Sequence, residues 1–381
     1  INLSKKHRVI GYDIDKKRIH NLKLGNDTFN EYKIKDLKNK NILYSNSIKL
    51  IKDANLFIIT VPTPIYKNKK PDLRSLKDVC KKLSNQIKIN DIIIFESTVY
   101  PGLTNKFCIP LLEKKNNLEE GRDFFVGYSP ERVNPGDKDH VLKKINKILA
   151  YPHNYKKKEI IKVYSLVAKK IISTKNIREA ETAKVIENIQ RDVNIGLINE
   201  IYLVCKKLNL DFNNVLELAS TKWNFLRYSP GLVGGHCLPV DPYYFSYISK
   251  QNGFNSKITL AGRLVNDSML SQAIKEITDQ LNEHSIKKND RILICGLTYK
   301  KNVADIRNSI ALKILKNLKR KYRNLKGYDP LINHQSSIEN GLITSNKEFL
   351  KFKIYVVITK HKKLLVKLNK IKNKRIINIF N

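Results

Sequence analysis

The chain has 381 residues, 41% of them hydrophobic and 8% aromatic, so it can bury a sizeable core and form two or three domains. No stretch approaches the roughly 20 apolar residues of a membrane-spanning helix, and no charged-then-apolar leader opens the chain, so we expect a soluble, cytoplasmic protein. Lys and Arg number 72 against 35 Asp and Glu, but only 14 are Arg and the Lys are spread throughout, which favours solvated surfaces over a nucleic-acid footprint.

The first third of the chain alternates short apolar segments with amphipathic ones, which predicts strands and helices in turn. The expected strands are 7–12, 56–61, 92–95 and 124–128, and the expected helices are 16–24, 75–86 and 103–114. This alternation predicts a parallel sheet covered by helices on both faces. Because binding residues follow such strands, we expect Asp13, Pro62–Pro64, Thr98 and Glu131 along one edge of the sheet.

A long helix is predicted from about Arg178 to Leu208, where the chain has no proline. At 1.5 Å per residue it would span roughly 45 Å, enough to link two domains or two subunits. After an irregular segment at 228–243, strands are expected at 291–295, 325–328 and 355–358, with a helix at 311–321. We predict an α/β protein with two Rossmann-like parallel-sheet domains, 1–172 and 284–381, joined by a helical central domain, 173–283, that carries the long helix.

Asp13 ends the first predicted strand, where dinucleotide-binding domains place an acid on the adenosine ribose. Arg18 lies about one helical turn beyond it. In such domains another strand and a Gly-x-Gly-x-x-Gly turn should precede the strand that ends in the acid. None of the 15 glycines forms this turn, so the domain's first strand and its Gly-rich turn are expected to be absent. A strand that ends in Asp is also common in simple turns, and the spacing alone leaves both interpretations open.

Glycines crowd one cysteine in the segment 230–241, where Cys237 follows Gly234, Gly235 and His236 and precedes Asp241. Glycine permits close backbone approach to a ligand, and a thiolate activated by its neighbours is a strong nucleophile. The five cysteines never form a Cys-x-x-Cys pair, so neither a disulfide framework nor a zinc site is expected. The spacing leaves open whether Cys237 is a nucleophile or a structural cysteine in a tight turn.

Glu181, Lys184, Asn188 and Arg191 share one face of the long helix because of their spacing. A lysine and an amide on one stripe can hold an oxyanion or a water molecule. The same stripe can also be a solvated face with an ordinary Glu–Lys pair, and the residues by themselves favour that alternative.

Seven ordered segments, spanning nearly the whole chain, resemble the UDP-sugar 6-dehydrogenase family, which oxidises a primary alcohol to a carboxylate with NAD. They are 61–64, 96–102, 129–137, 181–199, 222–244, 260–267 and 296–309. Thr221–Leu226 followed by Gly231–Tyr244 is similar to the branch that acts on UDP-N-acetylglucosamine or UDP-N-acetylgalactosamine for capsule or O-antigen polysaccharides. The alternatives are UDP-glucose or UDP-N-acetylmannosamine as substrate, or a truncated remnant that only dimerises or binds UDP-sugar.

The resemblance implies that Cys237 is the nucleophile of a covalent mechanism. It would attack the aldehyde left by the first hydride transfer, and the resulting thiohemiacetal would be oxidised to a thioester. Lys184 and Asn188 would contact the substrate and steady the oxyanion. Asp241 would lie near them and order water or take a proton.

The resemblance also implies the remaining contacts with water and substrate. Glu131 would touch the substrate and activate the hydrolytic water, which Thr98 would position. Gly234 and the loop 226–230 would line the sugar-nucleotide pocket, and Lys300 would hold the substrate.

Cofactor and partner contacts follow from the same resemblance. NAD would be held by Asp13, Arg18, Thr63, Thr98 and Arg307, and an acid at the strand end favours NAD over NADP. Arg263 would contact substrate in the neighbouring subunit, which implies a homodimer paired along the long helix.

Two departures from the family pattern stand out. Arg227 replaces an apolar residue at the rim of the sugar pocket. The Gly-rich turn is missing, so we expect weak NAD binding.

Overall fold

The computed structural model describes residues 1–27, 32–115, 117–134, 136–137 and 139–380. Pro135, within the segment 129–137, and Asn381, the last residue of the expected third domain, lie outside the described residues. The chain forms two compact units, Ile1–Glu187 with Tyr243–Asn252 and Asn188–Pro242 with Gly253–Asn381. In the described part of the chain, no helix combines the length and apolar character that a bilayer crossing requires.

Most predicted strands and helices are present within a few residues of their expected bounds. The strands are β1 Val9–Tyr12, β2 Ile42–Ser45, β3 Leu56–Ile59, β4 Ile92–Phe95, β5 Phe125–Tyr128, β6 Asn146–Ala150, β7 Lys170–Thr174, β8 Ile292–Cys295, β9 Leu325–Tyr328, β10 Ile354–Val357 and β11 Arg375–Asn378. The helices are α1 Lys16–Leu24, α2 Ile34–Leu37, α3 Arg74–Leu83, α4 Ile109–Glu113, α5 Lys157–Ser165, α6 Ile177–Lys207, α7 Phe212–Ser220, α8 Asp241–Gln251, α9 Lys257–Glu283, α10 Ile310–Leu318, α11 His334–Glu339, α12 Asn346–Phe349 and α13 Lys362–Asn369.

One predicted helix differs from the expected regular form. The segment 103–114 is a π-helical turn, Thr104–Cys108, followed by the short helix α4. Pro110 lies in the first turn of α4, and because proline has no N–H the regular ladder of helical hydrogen bonds is interrupted there.

The first unit contains two sheets. β1 pairs in parallel with β2, and a five-stranded sheet has the order β3-β4-β5-β6-β7. Its pairs are parallel except between β5 and β6, where Tyr128 opposes Ala150, so the sheet departs from the expected parallel arrangement at one joint. Every residue of β4 and β5 is buried, as expected of central strands covered on both faces.

The second unit contains an all-parallel sheet and a close helix crossing. The sheet has the order β11-β10-β8-β9, with β8 fully buried. Within this unit the later part of α6 crosses α9 at two glycines. A Cβ added to Gly196 would lie 2.9 Å from the carbonyl oxygen of Gly262, so this approach requires residues without side chains.

Candidate active site

Asp13 follows β1 and Arg18 lies in the first turn of α1, and both line a cavity of about 2670 Å³ in the first unit. The Asp13 carboxylate accepts a hydrogen bond from the N–H of Asp15, and its Oδ2 is 3.7 Å from Nη1 of Arg18. An acid and a guanidinium at a strand end fit the adenosine end of a dinucleotide. Among the described residues that line this cavity there is no glycine, so they do not supply a Gly-rich pyrophosphate turn.

The turns after β3 and β4 are joined to each other by two hydroxyl groups. Thr63 Oγ1 donates to the main-chain oxygen of Thr98, and Ser97 Oγ donates to that of Val61, both at 2.7 Å. Thr63 and Thr98 thus lie together at the expected edge of the five-stranded sheet, whereas Asp13 follows β1, which belongs to the separate two-stranded sheet.

A buried ion pair that the sequence analysis missed lies next to the loop of Glu131. Lys147 is 3% exposed, and its Nζ is 3.2 Å from Oε2 of Glu96 and 3.2 Å from the main-chain oxygen of Pro130. Tyr164 donates its hydroxyl hydrogen to Oε1 of Glu96 at 2.7 Å. Burial raises the pKa of Glu96, although Lys147 opposes the shift. Nothing in the sequence distinguishes Lys147 from the many solvated lysines.

We expect Lys147→Met to destabilise the first unit, because it breaks the buried ion pair with Glu96. The substitution leaves the Glu96 carboxylate buried without its cation, which we expect to lower the free energy of unfolding by about 2–3 kcal/mol. The loss stays moderate because burial already favours proton uptake by Glu96. Urea unfolding measures the change, and Lys82→Met, which removes an exposed pair with Asp78, should change stability by less than about 0.5 kcal/mol. Equal stability of the two variants would contradict the prediction.

Glu131 is exposed, and its carboxylate is oriented by its own loop. It accepts hydrogen bonds from the N–H groups of Arg132 at 2.7 Å and Val133 at 2.6 Å. Arg132 is in turn paired with Glu187 of α6 at 2.8 Å. The carboxylate is thus held on the surface at the carboxyl end of β5, where it can reach a ligand.

The polar face of α6 is buried or half-buried from Glu181 to Asn188, and of its four predicted members only Arg191 is exposed. Glu181 is 0% exposed and accepts hydrogen bonds from the N–H groups of Gly102 and Thr104, so it anchors the turn that follows β4. The solvated interpretation is therefore wrong for Glu181. Seven residues further along the helix, Asn188 donates from Nδ2 to Oδ2 of the buried Asp241 at 2.5 Å. Lys184 is half-buried and lies one helical turn before Asn188.

The glycines before Cys237 let this loop pack against the loop that follows β8. Gly235 has a φ of +85°, and a Cβ on it would lie 2.9 Å from the ring of Tyr299. A Cβ on Gly234 would lie 3.0 Å from the main-chain oxygen of Asn308. Cys237 itself is exposed, and its carbonyl accepts the N–H of Asp241, the residue at which α8 begins.

Arg307 lies in the loop that follows β8 and is paired with Asp305. Its Nε and Nη2 bind the carboxylate of Asp305 at 3.0 and 2.7 Å. These hydrogen bonds raise the pKa of Arg307, and the charge of a Cys237 thiolate acts in the same direction. Arg307 thus has a carboxylate partner in its own loop, and its contact with an anionic ligand stays a prediction.

Arg263 is 1% exposed at the crossing of α6 and α9. Its Nη1 is 2.5 Å from Oδ1 of the buried Asp192, and its Nη2 bonds to Asp267. Burial alone would lower the pKa of Arg263, but the two carboxylates raise it. Arg263 thus has a structural partner within its own chain, and its contact with a partner subunit's substrate stays a prediction.

Three successive parts of the chain match the three domains of one known protein family. The UDP-glucose/GDP-mannose dehydrogenase family matches with its NAD binding domain at residues 2–168, its central domain at 178–268 and its UDP binding domain at 293–381. These matches confirm the predicted family and the NAD cofactor.

Individual relatives agree with this assignment. Protein CapL of Staphylococcus aureus is 43% identical over 321 residues, which are 84% of this chain and 76% of CapL. UDP-N-acetyl-D-glucosamine 6-dehydrogenase of Pseudomonas aeruginosa is 38% identical over 351 residues, 90% of this chain and 82% of the relative. The solved structure of the UDP-D-ManNAc dehydrogenase of Pyrococcus horikoshii superimposes with a TM-score of 0.86 at 29% identity, over 100% of this chain and 91% of that one. The chain belongs to the UDP-glucose/GDP-mannose dehydrogenase family and is an NAD-dependent UDP-sugar dehydrogenase.

Proposed function

We propose that this protein oxidises the C6 alcohol of a UDP-N-acetylhexosamine, UDP-N-acetylglucosamine or UDP-N-acetylgalactosamine, to the uronate through Cys237. The observation that carries the proposal is an exposed thiol in a glycine-rich bend, whose carbonyl accepts the N–H of Asp241, the carboxylate that is bonded to Asn188. Relatives named UDP-N-acetyl-D-glucosamine 6-dehydrogenase are 38% and 40% identical, whereas a UDP-N-acetyl-D-mannosamine dehydrogenase is 33% identical. These identities favour the N-acetylglucosamine branch, and the proposal includes the role in surface-polysaccharide synthesis that the resemblance implies.

Cys237 makes the second half of the reaction possible. An aldehyde does not readily lose hydride until a nucleophile adds to its carbon. The thiolate forms a C–S bond to the aldehyde carbon, and the thiohemiacetal that results loses hydride to become a thioester. Water then breaks the C–S bond, releasing the carboxylate and regenerating the thiol. NAD, when bound, accepts the hydride in each of the two oxidation steps.

The charge that develops on the C6 oxygen needs a cation and a donor. In our proposal Lys184 supplies the positive charge. The Asn188 amide supplies a hydrogen-bond donor or orders water, and its hydrogen bond to Asp241 fixes its orientation. Gly234, Lys300 and the loop 226–230 would hold the UDP-sugar. Thr63 and Thr98 would hold the cofactor together with Asp13, Arg18 and Arg307.

Glu131 is proposed as the base for thioester hydrolysis, with Thr98 positioning the water. Glu131→Gln keeps the shape of the side chain but cannot take a proton, so kcat should fall by about 10²-fold. Both oxidation steps precede hydrolysis, so a rapid burst of about two NADH per active site should precede the slow steady state. Stopped-flow absorbance at the NADH band measures the burst. Steady-state turnover at the wild-type rate, without a burst, would contradict the role of Glu131.

The substrate is tested by NADH formation with four UDP-sugars, each supplied with NAD at saturating concentration. We expect kcat/KM for UDP-N-acetylglucosamine or UDP-N-acetylgalactosamine to exceed that for UDP-glucose by about tenfold or more, because the pocket must accommodate the acetamido group. A preference for UDP-N-acetylmannosamine or UDP-glucose would overturn the substrate assignment. No NADH with any of the four would favour a non-catalytic protein.

A further inference from the structure

Three buried polar side chains meet at the carboxyl edge of the four-stranded sheet in the second unit. Thr298 follows β8, Asp329 follows β9 and His361 follows β10, and all three are buried, His361 to 0% exposure. Carboxyl ends of neighbouring parallel strands are where α/β sheets bind ligands. Buried polar groups are unfavourable unless they are hydrogen-bonded, so the pattern of their bonds indicates what they do there.

The hydrogen bonds fix the tautomer of His361. The N–H of Asn302 donates to Nδ1 of His361 at 2.9 Å, so Nδ1 is an acceptor and the ring proton lies on Nε2. From Nε2 the distance is 3.0 Å to Oδ2 of Asp329 and 3.1 Å to Oγ1 of Thr298. The Thr298 hydroxyl in turn donates a hydrogen bond to the main-chain oxygen of Lys300 at 3.1 Å. The chain of bonds thus runs from a buried carboxylate to the backbone of Lys300.

The loop that carries Lys300 is held at its other end as well. Oδ2 of Asp329 accepts the N–H groups of Leu297 at 2.6 Å and Thr298 at 3.1 Å. Gly296 has a φ of +79°, and a Cβ there would lie 2.1 Å from the main-chain oxygen of Thr359, so only glycine fits. His361 and Asp329 therefore clamp the segment 296–302 from both ends.

We propose that His361 is a positioning residue that fixes the backbone of Lys300 for binding the UDP part of the substrate. The inference rests on the proposed function, because it takes the UDP-sugar as the ligand of this loop. A neutral imidazole suits the task because it accepts from Asn302 and donates toward Asp329 and Thr298 at the same time. Without it the loop loses its fixed conformation, and Lys300 must be ordered when the ligand binds.

UDP titration by calorimetry, without NAD, tests this directly. His361→Leu removes the contacts of the ring with Asn302, Asp329 and Thr298 and should raise the Kd for UDP by about tenfold or more. His361→Gln keeps one acceptor and one donor and should stay within about threefold of wild type. Tyr355→Phe is the matched control, since Tyr355 is buried in the same domain and donates to the main-chain oxygens of Phe349 and Phe352, away from the loop. Its Kd should not change although its melting temperature falls.

An unchanged Kd in His361→Leu together with a lower melting temperature would overturn the proposal, because His361 would then be purely structural. A Kd raised equally in the Leu and Gln variants would also overturn it. If His361→Leu does not fold, Thr298→Val tests the same proposal, since it removes only the hydroxyl that donates to the main-chain oxygen of Lys300. An unchanged Kd for UDP in Thr298→Val would count against the proposal. Wild-type protein that does not bind UDP at all would instead overturn the proposed function.

Discussion

Replacing Cys237 with Ser or Ala is expected to abolish uronate formation, with a loss of about 10³-fold or more in kcat. The remaining residues could still support the first oxidation, but the aldehyde would lack the sulfur that turns it into a hydride donor. NADH formation and uronate formation should therefore separate in the variants: any residual NADH would accompany aldehyde and no uronate. Chromatography of the sugar products, run beside the NADH assay, measures both.

The control for this substitution is another cysteine of the same chain. Cys205 is buried in an apolar cluster of the second unit, so Cys205→Ala should lower stability and leave uronate formation near the wild-type level in folded protein. A Cys237→Ala variant with full turnover would defeat the covalent mechanism. Loss of uronate in both variants to the same extent would mean that the effect is not specific to the nucleophile.

Arg263→Met is expected to produce the largest loss of stability, about 3–5 kcal/mol in the free energy of unfolding. The substitution leaves Asp192, which is 0% exposed, without its cation at a crossing where two glycines already hold the helices close. A methionine fills much of the space, so the loss reports the missing charge more than a cavity. Thermal and urea unfolding measure it.

The matched control is an arginine of the same unit whose ion pair is exposed, so the comparison shows whether the loss of stability depends on burial of the pair. Arg227 pairs with Glu217 on the surface, and Arg227→Met should change the free energy of unfolding by less than about 0.5 kcal/mol. The double substitution Arg263→Met with Asp192→Leu should recover part of the loss, because it removes the uncompensated charge. If Arg263→Met stayed within about 1 kcal/mol of wild type, the buried pair would not be a structural element of the crossing.

Periodicity and strand-end rules predicted the elements and part of the site. The predicted helix 178–208 is observed at Ile177–Lys207, because a long run of helix formers without proline leaves little choice. The rule that binding residues follow parallel strands correctly brought Thr63 and Thr98 together. Both successes depend on information that is local in the sequence.

Interactions between segments that are distant in the sequence could not be predicted from local sequence patterns. Lys147 meets Glu96 only because β6 returns beside β5, and a single lysine in an apolar strand looks like a solvated residue. Glu181 appeared to belong to a solvated face because its buried partners are N–H groups some 77 to 79 residues away. His361 follows a predicted strand, so the strand-end rule could have singled it out, but its tautomer and partners required coordinates.

The most direct test of the account is the mass of the Cys237-containing peptide from Glu131→Gln protein quenched in acid during turnover with NAD and a UDP-N-acetylhexosamine. We expect a UDP-uronyl adduct on Cys237, carried as a thioester and released by hydroxylamine. An unmodified Cys237 peptide in protein that is forming uronate would contradict it.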